Sequence, residues 1–172
     1  MAEKHSIPEL TAERLRELFS YDPETGNFTR LVTSGLRSKK GTIAGCIDLT
    51  GYVRYSIDYG RYHGHRLVWL YVHGSWPKDQ IDHINGIRHD NRLCNLRECT
   101  SAQNAQNMPV RSDNTSGFVG AHYFSANNNW QAGIRVNGKK YHIGVFKTAE
   151  EAHAAYVEAK ARLHTFQPTI RT

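Results

Sequence analysis

The most informative segments of the chain are Ile81-Asp82-His83-Ile84-Asn85-Gly86, Asp90-Asn91-Arg92-Leu93-Cys94-Asn95-Leu96-Arg97 and Thr100-Ser101-Ala102-Gln103-Asn104. Asp82 and His83 end a short run with apolar flanks that is typical of a strand, and a polar loop containing Gly86 reverses the chain. Residues 95–99 are then predicted to return as a second strand. The pattern therefore predicts an antiparallel hairpin with an Asp-His pair near its loop.

A helix is predicted to follow this hairpin directly. Thr100 and Gln103 have the spacing of a capping box, so the helix is expected to begin at Ser101 and to present Asn104 one turn later. A hairpin followed by a helix can bring the Asp-His pair and Asn104 together.

Composition excludes several classes of protein. The chain has 172 residues, a formal net charge of +6 and 39% hydrophobic residues, and it contains no apolar run long enough to span a membrane. The polar start, Met1 to Ser6, lacks the apolar core of a signal peptide, so a cytoplasmic location is expected. A pI near 9.3 favours a polyanionic partner only weakly.

Charge and patterning predict two modules. Residues 1–107 carry 14 basic and 12 acidic side chains, whereas residues 108–172 carry 8 and 4. Residues 107–117 are polar and lack hydrophobic periodicity, as a linker does. We therefore expect a boundary near residue 110, with domains over 1–109 and 110–172.

The first module is predicted to combine one helix with short antiparallel strands. The helix is expected over residues 12–20, and alternating runs at 28–32, 43–49 and 52–58 predict strands. The apolar run 65–73 fits either a short helix or a buried strand, because its periodicity does not separate the two.

These motifs resemble those of the HNH endonucleases, in particular the single-metal nicking enzymes of the homing type found in phages. His83, Asn95 and Asn104 have the spacing of the His-Asn-Asn variant of the motif. The phrases that also look like the family are His65-Arg66-Leu67-Val68-Trp69, Asp82-His83-Ile84-Asn85-Gly86 and Asn95-Leu96-Arg97. The resemblance implies a ββα-metal core at about residues 80–107. It also implies the cytoplasm of a host cell if the chain is encoded by a phage.

Roles follow for the residues that match the motif. A neutral imidazole is a competent base near pH 7, which suits His83 to activating water. Asp82 and Asn104 offer hard oxygen ligands for Mg²⁺ or Mn²⁺. By resemblance, Asn95 spans the loop with hydrogen bonds and holds His83 in position.

Several basic side chains of this module remain open in role. Arg92 and Arg97 are expected to contact DNA. His89 is either a phosphate contact or a solvated loop residue, and His65 either supports the site or is a packed structural histidine.

The cysteines point away from a zinc site. Cys94 and Cys99 are separated by four residues and Cys46 stands alone, so the paired Cys-x-x-Cys motifs of a zinc staple are missing. Reduced thiols and no structural zinc are expected.

The second module is predicted to be a three-stranded sheet with one helix. Runs at 117–124, 130–136 and 140–146 alternate as strands do, and Asn137-Gly138 is a strong hairpin signal. Thr148 and Glu151 form a second capping-box pattern ahead of an alanine-rich helix.

This module resembles the AP2-type DNA-binding domains. The phrases that carry the resemblance are Ser116-Gly117-Phe118-Val119-Gly120, Trp130-Gln131-Ala132, Gly144-Val145-Phe146 and the Glu-Glu-Ala start of the helix. In that family the sheet lies in the major groove. The DNA contacts that this implies are Arg135, Trp130, Lys139, Lys140 and Lys147.

Strand parity limits this set. Side chains at 130 and 135 face opposite sides of a regular strand, so we favour Arg135 on the DNA face. Trp130 packs against the helix in the alternative interpretation. For the lysines, phosphate contact and plain solvation remain equally open.

The sequence thus predicts an α+β, metal-dependent DNA endonuclease that binds double-stranded DNA and nicks it as a monomer, or cuts both strands as a dimer. Neither a small-molecule cofactor nor a membrane is expected. The first alternative is a DNA-binding regulator with a degenerate, inactive HNH module. The second is an HNH enzyme acting on RNA or on structured DNA.

Overall fold

The computed structural model describes residues 9–107, 114, 116–164 and 166. The chain divides into two units, Met1–Cys99 and Thr100–Thr172. This division falls earlier than the predicted boundary near residue 110, and most of the predicted linker lies at 108–113, outside the described residues. Both units combine helix with antiparallel sheet, which is compatible with the predicted α+β class.

The first unit contains two α-helices, one 3-10 helix (Leu93–Asn95) and seven strands among its described residues. The α-helices and strands are α1 (Ala12–Leu18), β1 (Phe19–Asp22), β2 (Asn27–Arg30), β3 (Cys46–Ile47), β4 (Val53–Ile57), β5 (Gly60–His63), α2 (Gly64–His73), β6 (Gln80–His83) and β7 (Leu96–Cys99). Strands β1 and β2 form one hairpin, β3, β4 and β5 form a three-stranded sheet in that order, and β6 pairs with β7. All of these pairings are antiparallel.

The two helices are delimited by local chemistry. The Thr11 side chain accepts a hydrogen bond from the Arg14 amide and starts α1, which ends at Leu18 because β1 begins at Phe19. The predicted helix over 12–20 is therefore two residues too long. The open choice at 65–73 is settled as a helix, which ends where Gly74 adopts a left-handed conformation.

Strand β3 is much shorter than the predicted run 43–49. The Asp48 carboxylate accepts hydrogen bonds from the amides of Thr50 (2.8 Å) and Tyr52 (3.2 Å), which turns the chain after Ile47. An aspartate that binds its own downstream backbone favours a turn over a strand.

An aromatic and aliphatic core lies beneath these elements. Phe28, Leu15 and Leu67 are fully buried, and the Phe28 ring lies 5.6 Å from Tyr55 and 5.5 Å from Tyr71. The core thus joins both helices to the first two sheets and provides a rigid base for α2 and β6.

The second unit begins with the short helix α3 (Ser101–Asn104). It continues with β8 (Ala121–Phe124), β9 (Asn129–Val136), β10 (Lys139–Phe146) and α4 (Ala149–Leu163), and its strands form one sheet in the order β10-β9-β8. The capping box of α3 is confirmed: the Gln103 amide donates to the Thr100 hydroxyl at 3.2 Å, and the Thr100 amide donates to the Gln103 side chain at 2.9 Å.

The three strands and the helix occur in the predicted order, but β8 begins at Ala121 and not at 117, because Gly117 and Gly120 have positive φ. The second capping box forms by half: the Thr148 hydroxyl accepts from the Glu151 amide at 3.2 Å, whereas the Glu151 carboxylate accepts from the Lys147 amide.

Asn137 and Gly138 both have positive φ, as a two-residue hairpin turn between β9 and β10 requires. Ala121, Ala132 and Ala152 form the buried centre between the sheet and α4. Small side chains there let the helix lie close to the sheet. None of the helices in the described residues is long and apolar enough to cross a membrane.

Candidate active site

Asp82 and His83 lie at the end of β6, where the ladder with β7 stops. Asp82 pairs with Arg97 and His83 with Leu96 across the ladder. Both polar residues are buried, with 8% and 4% of their surfaces exposed. Their burial matters because polar groups withdrawn from water need partners within the protein.

The Asp82 carboxylate is bound by Arg97. Its Oδ2 accepts hydrogen bonds from Nε of Arg97 at 3.0 Å and from Nη2 at 2.9 Å. The two side chains are direct cross-strand neighbours, so the ladder itself sets this contact. The negative charge of the buried carboxylate is therefore compensated by the adjacent guanidinium of Arg97.

The His83 imidazole is oriented by Asn91. Nε2 of His83 lies 3.1 Å from Oδ1 of Asn91, and only 2% of the Asn91 surface is exposed. Because an amide oxygen only accepts, Nε2 carries the proton and Nδ1 carries the lone pair. Burial lowers the pKa of His83 below its ordinary value of 6.5, against an opposing contribution from the Asn91 hydrogen bond. His83 is thus a neutral imidazole at pH 7.

Asn91 is held in place from three directions. Its carbonyl oxygen accepts a hydrogen bond from the Tyr21 hydroxyl at 2.9 Å. A Cβ at Gly64 would lie 2.6 Å from Nδ2 of Asn91, and a Cβ at Gly26 would lie 2.6 Å from the Asn91 carbonyl carbon. Two glycines therefore make room for this residue. Sequence reasoning missed Asn91, because a loop asparagine carries no signal of its own.

An aromatic cluster packs around His83. The ring centroid of His65 lies 5.2 Å from that of His83 and 5.3 Å from that of His63, and Tyr52 contacts all three imidazoles. Burial, followed by repulsion from His83 and His63, lowers the pKa of His65 to about 3. Nδ1 atoms of His63 and His65 are buried without a hydrogen-bond partner in the described part of the chain. His65 is therefore packed into the site as an uncharged ring.

Asn95 closes the loop that follows His83. Its Oδ1 accepts from the Asn85 amide at 2.9 Å, and its Nδ2 donates to the Asp90 carbonyl at 2.8 Å. Its own carbonyl accepts from the Ile84 amide at 2.9 Å. One side chain thus joins the start and the end of the loop, which is the geometry that a scaffolding role requires.

A second charged pair stiffens the same loop. Arg92 donates to the Asp90 carboxylate at 2.8 and 2.7 Å, and the Asn85 side chain donates to it at 2.7 Å. The Arg92 hydrogen bonds, with a smaller contribution from Asn85, lower the pKa of Asp90 to about 2. Arg92 and Arg97 are therefore both engaged with carboxylates, and their predicted contact with DNA stays a prediction.

The predicted ligands lie in different units. Asp82 belongs to the first unit, whereas Asn104 is the last residue of α3 in the second, so their pairing stays a prediction. Across the described residues, no group of three or more His, Cys, Asp or Glu side chains is arranged to hold a metal ion. The donor chemistry of one carboxylate and one amide still fits a hard divalent cation that takes further oxygen ligands from water or phosphate.

The predicted DNA contacts of the second unit lie on both faces of its sheet. Trp130 packs against the core cluster on the face that holds Ala132, which favours the packing alternative. Arg135 lies on the opposite face, directly across from Lys140 in the ladder. Lys139 pairs with Val136 and so lies on the same side as Trp130. Lys147 is exposed just beyond β10.

The exposed face of this sheet is basic. Arg135 and Lys140 are cross-strand neighbours, His142 pairs with Gly133, and His122 pairs with Gln131 on the same face. The three strands contain no aspartate or glutamate. Like charges opposite each other destabilise a sheet unless an anion lies between them.

Comparison with known proteins finds a nuclease-like segment that begins in the first unit and ends in the second. Residues 62–106 match the family model described as HNH endonuclease, which places this segment in a nuclease family and implies a DNA substrate. Endonucleases of this family generally use a divalent metal. The matched range includes β6, its loop and β7.

The chain is also similar to a phage protein. The chain is similar to Protein 3.8 of Escherichia phage T7, with 28% identity over 103 residues that cover 54% of this chain and 85% of that protein. No solved structure matches the chain.

Proposed function

We propose that the chain is a metal-dependent DNA endonuclease of the phage homing type, which hydrolyses one phosphodiester bond per active site. The observation that carries the proposal is the buried, neutral His83 beside Asp82 at the end of β6, with its ring orientation set by Asn91. This pair lies inside the segment that matches the HNH endonucleases.

His83 acts as the general base. With Nε2–H donating to Asn91, Nδ1 accepts a proton from water. The resulting hydroxide attacks the phosphorus and the bond from phosphorus to the 3′ oxygen breaks. The departing 3′ oxyanion takes a proton from solvent water, so the products are a 5′-phosphate and a 3′-hydroxyl. Because the pKa of His83 is lowered, its imidazole stays deprotonated at pH 7.

Asn91 and Asn95 are positioning residues. Asn91 fixes the tautomer and the plane of the His83 ring, and Asn95 fixes the loop that carries Asn91. Catalytic groups must be held in place before the substrate arrives, because reorganisation during the reaction raises the barrier.

Asp82 and Asn104 would hold the divalent metal, Mg²⁺ or Mn²⁺. When bound, the ion would neutralise charge on the scissile phosphate and assist the departing 3′ oxygen. Arg97 balances the Asp82 charge in the structure and lies close enough to share that carboxylate. The site is expected to complete its ligand set with water and phosphate oxygens.

The open face of the second unit's sheet is proposed to hold the duplex in the manner of an AP2-like domain. Arg135 and Lys140 supply adjacent cations there, and the strands supply no opposing carboxylate. Such a face attracts phosphates and orients the protein on DNA. A monomer with one active site would then nick one strand.

The second candidate is a DNA-binding regulator with an inactive HNH module. The ion pair between Asp82 and Arg97 favours it, because a carboxylate that is already neutralised binds a cation more weakly. This candidate binds duplex DNA and leaves it intact.

Supercoiled plasmid separates the two candidates. Incubation with the full chain and Mg²⁺ or Mn²⁺ is expected to give nicked circles, and EDTA is expected to abolish nicking. Bound but intact plasmid under every metal condition would contradict the endonuclease and favour the regulator. Nicking that persists unchanged in EDTA would contradict the metal requirement.

A further inference from the structure

A basic loop connects β2 to β3 in the first unit. We call residues 31–42 the basic arm. Its base is closed by two backbone hydrogen bonds, from the Arg30 amide to the Thr42 carbonyl (2.9 Å) and from the Gly41 amide to the Arg30 carbonyl (2.8 Å). Further up, the Ser34 amide donates to the Ser38 carbonyl at 2.9 Å. These bonds give the arm a defined, hairpin-like shape.

The arm carries cations without counterions. Arg37, Lys39 and Lys40 are exposed, and no acidic residue occurs anywhere between Glu24 and Asp48. In the described residues these three side chains form no ion pair. Four other arginines of the same unit do pair with aspartates, namely Arg14, Arg54, Arg92 and Arg97. The arm therefore places three unpaired cations within four consecutive residues.

An apolar side chain projects from the tip. The Ser38 amide donates to the Gly35 carbonyl at 3.0 Å, so Leu36 and Arg37 occupy the centre of a tight turn. Leu36 is 93% exposed. Turn centres usually carry polar residues or glycine. Leu36 at this position stands directly before Arg37, so the tip of the arm combines an exposed apolar group with exposed cations.

Duplex DNA fits this combination better than other partners. Duplex DNA offers partners for both kinds of side chain, because its phosphates bind cations and its base steps accept apolar side chains. An acidic protein surface would satisfy the cations without requiring the leucine.

We propose that the basic arm is a second DNA contact, in which Arg37, Lys39 and Lys40 bind backbone phosphates and Leu36 enters a groove. The inference rests on the proposed function only in taking duplex DNA as the substrate. It adds a contact on the catalytic unit itself, independent of the sheet in the second unit.

Equilibrium binding tests the proposal without cleavage. The full chain carrying His83→Ala is titrated with a short labelled duplex of mixed sequence in EDTA, over a series of salt concentrations. Adding Arg37→Ala, Lys39→Ala and Lys40→Ala together is expected to weaken binding about 10-fold to 100-fold near 0.1 M salt and to reduce the salt slope by about 2 to 3. Leu36→Ser is expected to weaken binding and leave the slope unchanged.

A charge-preserving variant is the matched control. Arg37→Lys, Lys39→Arg and Lys40→Arg together should retain the slope of the parent, and thermal unfolding should show that every variant is folded. Unchanged affinity and slope in the alanine variant would overturn the proposal. The proposal would also be overturned if the alanine variant lost binding to polyglutamate, an acidic polypeptide, while it bound the duplex as its parent does.

The failure of this proposal differs from the failure of the proposed function. If the arm variant binds DNA as its parent does while the wild-type chain nicks plasmid, the arm contact is refuted and the proposed function stands. If the wild-type chain binds the duplex through the arm but never nicks plasmid, the arm contact stands and the endonuclease function is refuted.

Discussion

His65 is an uncharged ring at the first turn of α2, packed edge-to-face on His83. Its ring centroid lies 5.2 Å from that of His83, and its Nδ1 is buried without a hydrogen-bond partner in the described part of the chain. A cation at this position would repel a protonated His83 and would itself lack solvation. The site is therefore built for a neutral His65, and protonating it should cost stability.

The pH dependence of unfolding checks this burial. The His65 pKa is about 3 in the folded chain and near its ordinary value of 6.5 when unfolded, so the unfolded state binds more protons between these values. The stabilisation is complete above pH 6.5 and is lost as the pH falls toward 3, at about 1 kcal/mol per pH unit. In His65→Phe, the free energy of unfolding should vary less steeply between pH 4 and pH 6. Parallel curves for variant and wild type would contradict the burial argument.

Residue by residue, the sequence predicted the site unevenly. The side chain of Asn95 spans the loop with hydrogen bonds, as the resemblance implied, whereas the role of His83 as a base stays a prediction. Asn91 was not predicted, because its role depends on a hydrogen bond to His83 and on space left by Gly26 and Gly64. Contacts of this kind arise from packing between distant segments, which a local pattern does not record.

Among the elements, the sheet of the second unit has two unlike faces. The face toward α4 holds Ala132 and Trp130, whereas the other face presents Arg135 beside Lys140. Because β9 is regular between residues 130 and 135, and the bulge lies in β10 between His142 and Gly144, the parity argument from the sequence holds.

DNA binding should depend on the face and not only on net charge. Arg135→Ala and Lys140→Ala are each expected to weaken duplex binding and to lower the salt slope by about 1, because each removes one phosphate contact. Lys139→Ala removes the same charge from the other side and is the matched control. Gel-shift titrations across salt concentrations measure all three, and an equal effect of Lys139→Ala would contradict a face-specific interface.

Element prediction succeeded where capping and turn chemistry are local. The Thr100 and Gln103 capping box and the Asn137-Gly138 turn were both readable, because each acts within four residues. The strand 43–49 was overestimated, since the Asp48 carboxylate turns the chain after Ile47. The helix at 65–73 could not be separated from a strand, because tertiary burial decides between them.

For the whole molecule, the nearly balanced charge of residues 1–107 conceals an uneven distribution of charged side chains. Its 14 basic and 12 acidic residues almost balance. Aspartates 48, 58, 82 and 90 are each paired with an arginine. The cations that remain in excess include those of the basic arm, and the second unit adds the open face of its sheet. Net charge alone therefore gave only a weak indication of the polyanionic partner.

If His83 is the base of a DNA-cleaving site, two single histidine variants should differ in plasmid nicking. His89 lies exposed in the same loop and is the matched control. In plasmid nicking with Mg²⁺, His83→Ala should lower the rate by about 100-fold or more, as removal of a general base does, while His89→Ala nicks like the wild type. Equal nicking by wild type and His83→Ala would contradict the account.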